Sequence, residues 1–142
     1  MKNKLNCILL IDDDEPTNFL SRLIVEEAQC AHHVQVEDSG EGALSFLSKL
    51  KDDADSNCQP CPELIFLDIN MPAMNGWEFL ERYMNLDEQQ KANVVVVMLT
   101  TSLNPDDNLK AETLPDVSGF ENKPLTKEKL EYILQKYFPH HF

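Results

Sequence analysis

Three stretches of this chain are apolar almost without interruption: Leu5–Ile11 (LNCILLI), Leu64–Leu67 and Val94–Leu99. A strand with one face in water alternates apolar and polar residues, whereas a strand covered on both faces does not. These runs therefore predict the centre of a parallel sheet with helices on each side, and they exclude a sheet that faces solvent. Val94–Leu99, the longest run without a polar residue, has six positions; a bilayer span needs roughly 20. No membrane segment is expected.

The intervening segments carry helical periodicity. Pro16 falls where a helix can start, because its missing N–H has no helical partner there. Phe19, Leu20, Leu23, Ile24 and Ala28 follow as one apolar stripe. His33–Glu37 alternates weakly and predicts a short strand. Ser39 can cap a second helix with Ala43, Leu44, Leu47 and Leu50 on its apolar face. Lys51–Pro62 is polar and proline-bearing and predicts an exposed loop. Asn75-Gly76 makes a turn before a helix with Trp77, Leu80, Tyr83 and Met84 on one side. Asn104-Pro105 opens a fourth helix that Pro115 must end. Gly119–Asn122 reads as a fifth strand, and Thr126 caps a last helix that turns Leu130, Ile133, Leu134, Tyr137 and Phe138 inward. Five β-α repeats predict an α/β fold: a doubly wound, five-stranded parallel sheet with helices on both faces. Right-handed crossovers make the flavodoxin-like order 2-1-3-4-5 the expected topology.

Composition limits the partners. The 142 residues suit one domain (1–142), and the 42% apolar content excludes disorder. A net charge of −13 repels phosphate backbones, so no nucleic acid is expected. The N-terminal apolar stretch runs into Asp12-Asp13-Asp14 with no cleavage site after it, so it reads as a strand, and a cytoplasmic location is the simplest. Cys7, Cys30, Cys58 and Cys61 are too few for a disulfide scaffold. Cys58 and Cys61 precede a strand rather than open a helix, so they lack the setting of a redox pair. Zinc would need two more ligands, and nothing brings His140 and His141 near.

In open sheets of this kind, ligands bind beyond the carboxyl ends of the strands. Strand one ends at Asp12 and Asp13, strand three at Asp68, strand four at Thr100 and strand five at Lys123. Strands one and three are neighbours in the expected order, so three carboxylates converge. Such a group needs a cation, and a hard divalent ion such as Mg²⁺ or Mn²⁺ suits oxygen donors. A metal, a hydroxyl and a lysine around one carboxylate form a site for phosphoryl transfer. Aspartate itself can act as the nucleophile.

Ile11-Asp12-Asp13, Leu67-Asp68-Ile69-Asn70-Met71-Pro72 with Asn75-Gly76, Leu99-Thr100 and Lys123-Pro124 together resemble the response-regulator receiver domain of two-component signalling. The resemblance runs from about Leu5 to Phe138. It implies a single-domain response regulator in which Asp68 is the phosphoacceptor, supplied by a phosphohistidine on a sensor histidine kinase or histidine phosphotransfer protein. It implies that Asp13, Asp68 and the Asn70 carbonyl hold the metal directly and that Asp12 acts through a water. Lys123 pairs with the phosphoryl oxygens, where a compact ammonium suits a point charge. Thr100 and Phe120 form the switch, and Lys123-Pro124 is a cis peptide. The face that changes, built by the fourth helix, fifth strand and fifth helix, then binds an unidentified downstream protein. Such a protein catalyses its own phosphorylation and dephosphorylation but is not a metabolic enzyme. Thr17, Asn18 and Ser21, expected on the exposed side of the first helix, help select the phosphodonor.

The chain also departs from the family pattern. Pro115 interrupts the stretch Glu112–Val117, Phe120 lacks the hydroxyl of the tyrosine often found there, and Lys51–Pro62 is long. No output domain is expected after Phe142. A phosphatase of the haloacid dehalogenase type also uses a strand-end aspartate and Mg²⁺, but its Asp-x-Asp-x-Thr or Val motif fails here at Pro16. A flavodoxin must cradle phosphate in its first loop, which Asp-Asp-Asp-Glu would repel. A pseudo-receiver that is never phosphorylated is a third alternative, although Asp68, Thr100 and Lys123 are all present.

Overall fold

A computed structural model describes residues 4–52, 62–85, 94–100 and 117–139. They form five strands, β1 (Leu5–Ile11), β2 (Ala31–Glu37), β3 (Pro62–Asp68), β4 (Val95–Thr100) and β5 (Gly119–Asn122). Four helices accompany them among the described residues: α1 (Glu15–Ala28), α2 (Gly40–Asp52), α3 (Gly76–Met84) and α4 (Lys127–Tyr137). The strands are all parallel, in the order β2-β1-β3-β4-β5. This is the doubly wound sheet that the apolar runs predict. The helix expected between Asn104 and Pro115 lies outside the described residues. So do Cys58, Cys61, His140, His141 and the side chains of Leu50 and Met84.

The three central strands alternate between two cores, which is why each reads as continuously apolar. Ile8, Leu10, Leu64, Phe66, Val97 and Leu99 pack with Val25 of α1 and Leu130, Ile133 and Leu134 of α4. Leu9, Ile11, Ile65, Leu67, Val96 and Met98 pack with Ala43 and Leu47 of α2 and Phe79, Leu80 and Tyr83 of α3. Side chains of successive strand residues point to opposite faces, so helices on both faces bury all of β1 beyond Asn6, β3 beyond Glu63 and β4 beyond Val95. β2 and β5 lie at the edges and are only half-buried.

Several boundaries differ from the sequence expectation. β2 begins two residues earlier, at Ala31. Lys51 and Asp52 extend α2, and Pro62 opens β3 rather than closing the loop. Proline fits there because the first residue of a strand need not donate to the ladder.

The larger correction concerns α1. Ile24 and Ala28 of the expected stripe pack against the core, partly buried, but Phe19, Leu20 and Leu23 are exposed (66%, 52% and 43%), whereas Asn18, Ser21 and Val25 are buried. Residues 18, 21 and 25 are also spaced at three and four, so the helix carries two candidate faces. The one with the amide and the hydroxyl is turned to the sheet. Asn18 and Ser21 are thus not on the exposed side where the sequence reading put them. In α3 the periodicity likewise missed Phe79, which is fully buried and stacks on Tyr83 at 5.9 Å. Trp77 is only partly buried.

Candidate functional site

Strand register sets the site. Ile11 lies opposite Leu67 and Asp68 opposite Leu99, so β1 and β3 end side by side. Thr100 lies opposite Asn122, and the Lys123 N–H donates to the Thr100 carbonyl at 2.7 Å. Asp12, Asp13 and Asp68 each bring one carboxylate oxygen within 4.8 Å of the others. Asp12 and Asp68 are buried and Asp13 is exposed, so the group opens to solvent on one side.

Lys123 reaches across from the end of β5. Its Nζ lies 2.5 Å from Asp12 Oδ2 and 3.0 Å from Asp68 Oδ1. Burial pushes the Asp68 carboxyl above its ordinary pKa; the Lys123 ammonium and the Asn70 backbone N–H pull it back, and the Asp12 charge raises it further. Burial by itself would lower the Lys123 pKa, but its bonds to Asp12 and Asp68 outweigh that, and it stands above the ordinary lysine value. Among the described residues, three carboxylates and one ammonium meet here and leave an excess of negative charge. The donors are oxygen only, which fits a hard divalent cation such as Mg²⁺ and does not suit a soft metal.

Local structure holds these groups in place. Asp14 caps α1, its carboxylate accepting from the Thr17 N–H at 3.1 Å and from the Thr17 hydroxyl. These bonds hold the Asp14 carboxyl below its usual range. Behind Asp68 the chain turns through Ala73, which adopts a left-handed φ of 66°. Asn75 then starts α3 with a capping box: its Oδ1 accepts from the Glu78 N–H at 2.9 Å, and its own N–H donates to Glu78 Oε1 at 3.1 Å. The Gly76 N–H returns to the Ile69 carbonyl at 2.8 Å.

The sequence-predicted site residues are therefore not dispersed. Asp12, Asp13, Asp68 and Lys123 meet at the strand ends, with Asn70 in the loop directly after Asp68. Thr100 is buried at the end of β4, Phe120 is half-buried on β5, and Lys123-Pro124 is a cis peptide. Sequence reasoning missed the inward turn of Asn18, whose Nδ2 donates to the Asp12 carbonyl at 2.7 Å. The available signal was its spacing from Ser21 and Val25, masked by a stronger apolar stripe beside it.

Comparison with known proteins agrees with this geometry. The family model for the response regulator receiver domain matches residues 8–135. The response regulator Rcp1 of Synechocystis is 30% identical over 105 residues, 74% of this chain and 68% of that protein. The signal transduction histidine-protein kinase BarA of Escherichia coli is 27% identical over 140 residues, but the chain spans only 14% of its length. Among solved structures, a two-component response regulator from Cytophaga hutchinsonii superposes with a TM-score of 0.84 at 33% identity, covering 96% of this chain and 99% of that one. No helix among the described residues is long and apolar enough to cross a membrane. The fold, the strand-end carboxylates and these relatives agree, and the chain belongs to the response regulator receiver domain family.

Proposed function

We propose that Asp68 accepts a phosphoryl group from a phosphohistidine on a sensor histidine kinase or histidine phosphotransfer protein, with Mg²⁺ or Mn²⁺ as cofactor. The observation that carries this reading is Asp68 at the end of a central strand, paired with Lys123 at 3.0 Å and grouped with Asp12 and Asp13. Asp13, Asp68 and the Asn70 carbonyl would hold the ion, with Asp12 acting through a water. When bound, the ion neutralises the carboxylates and the incoming phosphoryl oxygens.

The remaining steps belong to the chain itself. An Asp68 carboxylate oxygen forms a bond to phosphorus while the P–N bond to the donor imidazole breaks, and the electron pair leaves with the imidazole. The charge that Asp68 loses departs with that pair, and a proton on the other ring nitrogen lets the imidazole leave neutral; the negative charge now at position 68 is that of the phosphoryl oxygens, which arrive with the group. Lys123, raised above the ordinary lysine pKa and thus cationic at neutral pH, moves its partner preference with that charge. Thr100, at the end of the neighbouring strand, turns its hydroxyl toward the phosphoryl group. Phe120, half-buried on the edge strand β5, moves into the space behind it. The surface around β5 and α4 then changes its affinity for a downstream protein.

A surface suited to the donor adjoins the site. Leu20 borders a groove of about 280 Å³ together with Thr17, Ser21, Lys123, Pro124 and Leu125. Exposed Phe19 and Leu23 lie on the same helix as Leu20. Apolar side chains left in water on the helix that borders the site are what a docking partner would cover.

The test is incubation with acetyl phosphate and Mg²⁺. One base-labile phosphate should appear on the wild-type protein and none on Asp68→Asn. Labelling that persists in the variant would place the acceptor elsewhere. Catalytic release of phosphate from unrelated esters would favour the phosphatase reading instead.

A further inference from the structure

We propose that Asn18 is a positioning residue that sets the metal affinity of the Asp12–Asp13 pair by fixing the peptide between them. The inference rests on the proposed Mg²⁺-dependent function and extends it to a residue outside the carboxylate cluster.

Asn18 is 7% exposed and lies on the face of α1 that meets the sheet, among positions that an apolar residue would ordinarily fill. A buried amide is costly unless it is hydrogen-bonded. Here its Nδ2 donates to the backbone carbonyl of Asp12 at 2.7 Å, six residues back in the chain. Its own N–H donates to the Asp14 carbonyl at 3.1 Å, so both ends of the contact are tied to the β1–α1 turn.

Every other polar group of Asp12 is also engaged. Its N–H donates to the Glu37 carbonyl at 3.2 Å, Oδ1 accepts from the Asp14 N–H at 2.9 Å, and Oδ2 meets Lys123 at 2.5 Å. The Asp12 carbonyl is the group that leads into Asp13. A peptide unit is planar, so holding the carbonyl oxygen of Asp12 also orients the N–H and Cα of Asp13. Asp13 is exposed and, besides belonging to the carboxylate group, lines an open cavity with Glu15, Asn18, Glu37 and Asp38. Without the amide, the Asp12 carbonyl loses its side-chain donor, and the Asp13 carboxylate is held less firmly in its aim at Asp68. Groups that orient metal ligands in this way typically change affinity by roughly 10–100-fold when removed.

The test is calorimetric titration of the whole chain with MgCl₂, alongside phosphorylation by acetyl phosphate. Asn18→Leu keeps the volume of the side chain and removes the donor. It should weaken Mg²⁺ binding by roughly 10–100-fold, with phosphorylation restored at saturating Mg²⁺. A merely structural role would lower the melting temperature and leave the Mg²⁺ affinity unchanged. Equal affinity in Asn18→Leu and wild type therefore overturns the inference while leaving Asp68 as acceptor intact. If Asn18→Leu does not fold, Asn18→Ala, which leaves no polar group in that place, decides on the same criterion. A wild-type chain that binds no Mg²⁺ overturns both this inference and the proposed function.

Discussion

A Cβ placed on Gly76 would stand 2.5 Å from the carbonyl oxygen of Asp68 and 2.9 Å from the Cα of Ile69. The first turn of α3 thus rests directly on the backbone that presents the carboxylate, and only a residue without a side chain permits that approach. The Gly76 N–H bond to the Ile69 carbonyl closes the same contact.

Gly76→Ala is accordingly expected to destabilise the fold and displace Asp68. The obstructing atoms are backbone, so no rotamer change relieves them. Overpacking of this kind costs about 1–3 kcal/mol, while the better helix propensity of alanine returns at most about 1 kcal/mol. Urea denaturation should show a net loss, and phosphorylation by acetyl phosphate should slow. A variant as stable and as reactive as wild type would mean that the loop shifts without consequence.

The pH dependence of Asp68 has a definite sign. Burial raises its carboxyl pKa in the folded chain above the ordinary 3.8, and the Asp12 charge adds to that. The folded chain then holds the proton more tightly than the unfolded chain does. That contribution is fully present below 3.8 and is lost as the pH rises through the folded value. Asp68→Asn removes the charge and keeps the shape, and Lys123 retains Asp12 as its partner. In metal-free buffer at pH 7 the variant should melt a few degrees above wild type, on the order of 1 kcal/mol for a domain of this size. The difference should close as the pH falls toward the ordinary aspartate range. A gap that persists or reverses in acid would mean that the buried charge is not its origin.

Thr100→Ala tests the switch. Moving a two-state equilibrium from mostly off to mostly on requires roughly 5 kcal/mol, and Thr100 is the hydroxyl at the β4 end closest in register to β5. The variant is expected to accept one phosphate, as wild type does. Phosphorylation should alter amide hydrogen exchange over residues 119–138 in wild type and much less in the variant. The same exchange response in both proteins would exclude the hydroxyl as the relay.

The two kinds of element differ in how far they could be read. β1, β3 and β4 were legible because burial on both faces writes itself as a local apolar run, and each run stops at the residue that supplies chemistry. Asn75-Gly76 was legible as a turn for a similarly local reason. The facing of α1 was legible only in part: Ile24 and Ala28 do pack inward. Phe19, Leu20 and Leu23 form the more apolar stripe, yet the helix turns Asn18, Ser21 and Val25 inward. Hydrophobic periodicity ranks faces by burial alone. It takes no account of a backbone carbonyl at the end of β1 that accepts an amide, or of an apolar face left for a partner.

Local amino-acid order was enough to place the strands, though not the starts of β2 and β3, and to put Asp12, Asp13, Asp68, Thr100 and Lys123 at their ends, since an apolar run and the polar residue that stops it are properties of short segments. That three carboxylates share one region with a single ammonium depended on strand order and register, which join residues more than fifty positions apart. The inward turn of Asn18 and the close seat of Gly76 were decided at that level as well. Both answer to backbone atoms of a neighbouring element, and a side-chain pattern carries no record of where those atoms will lie.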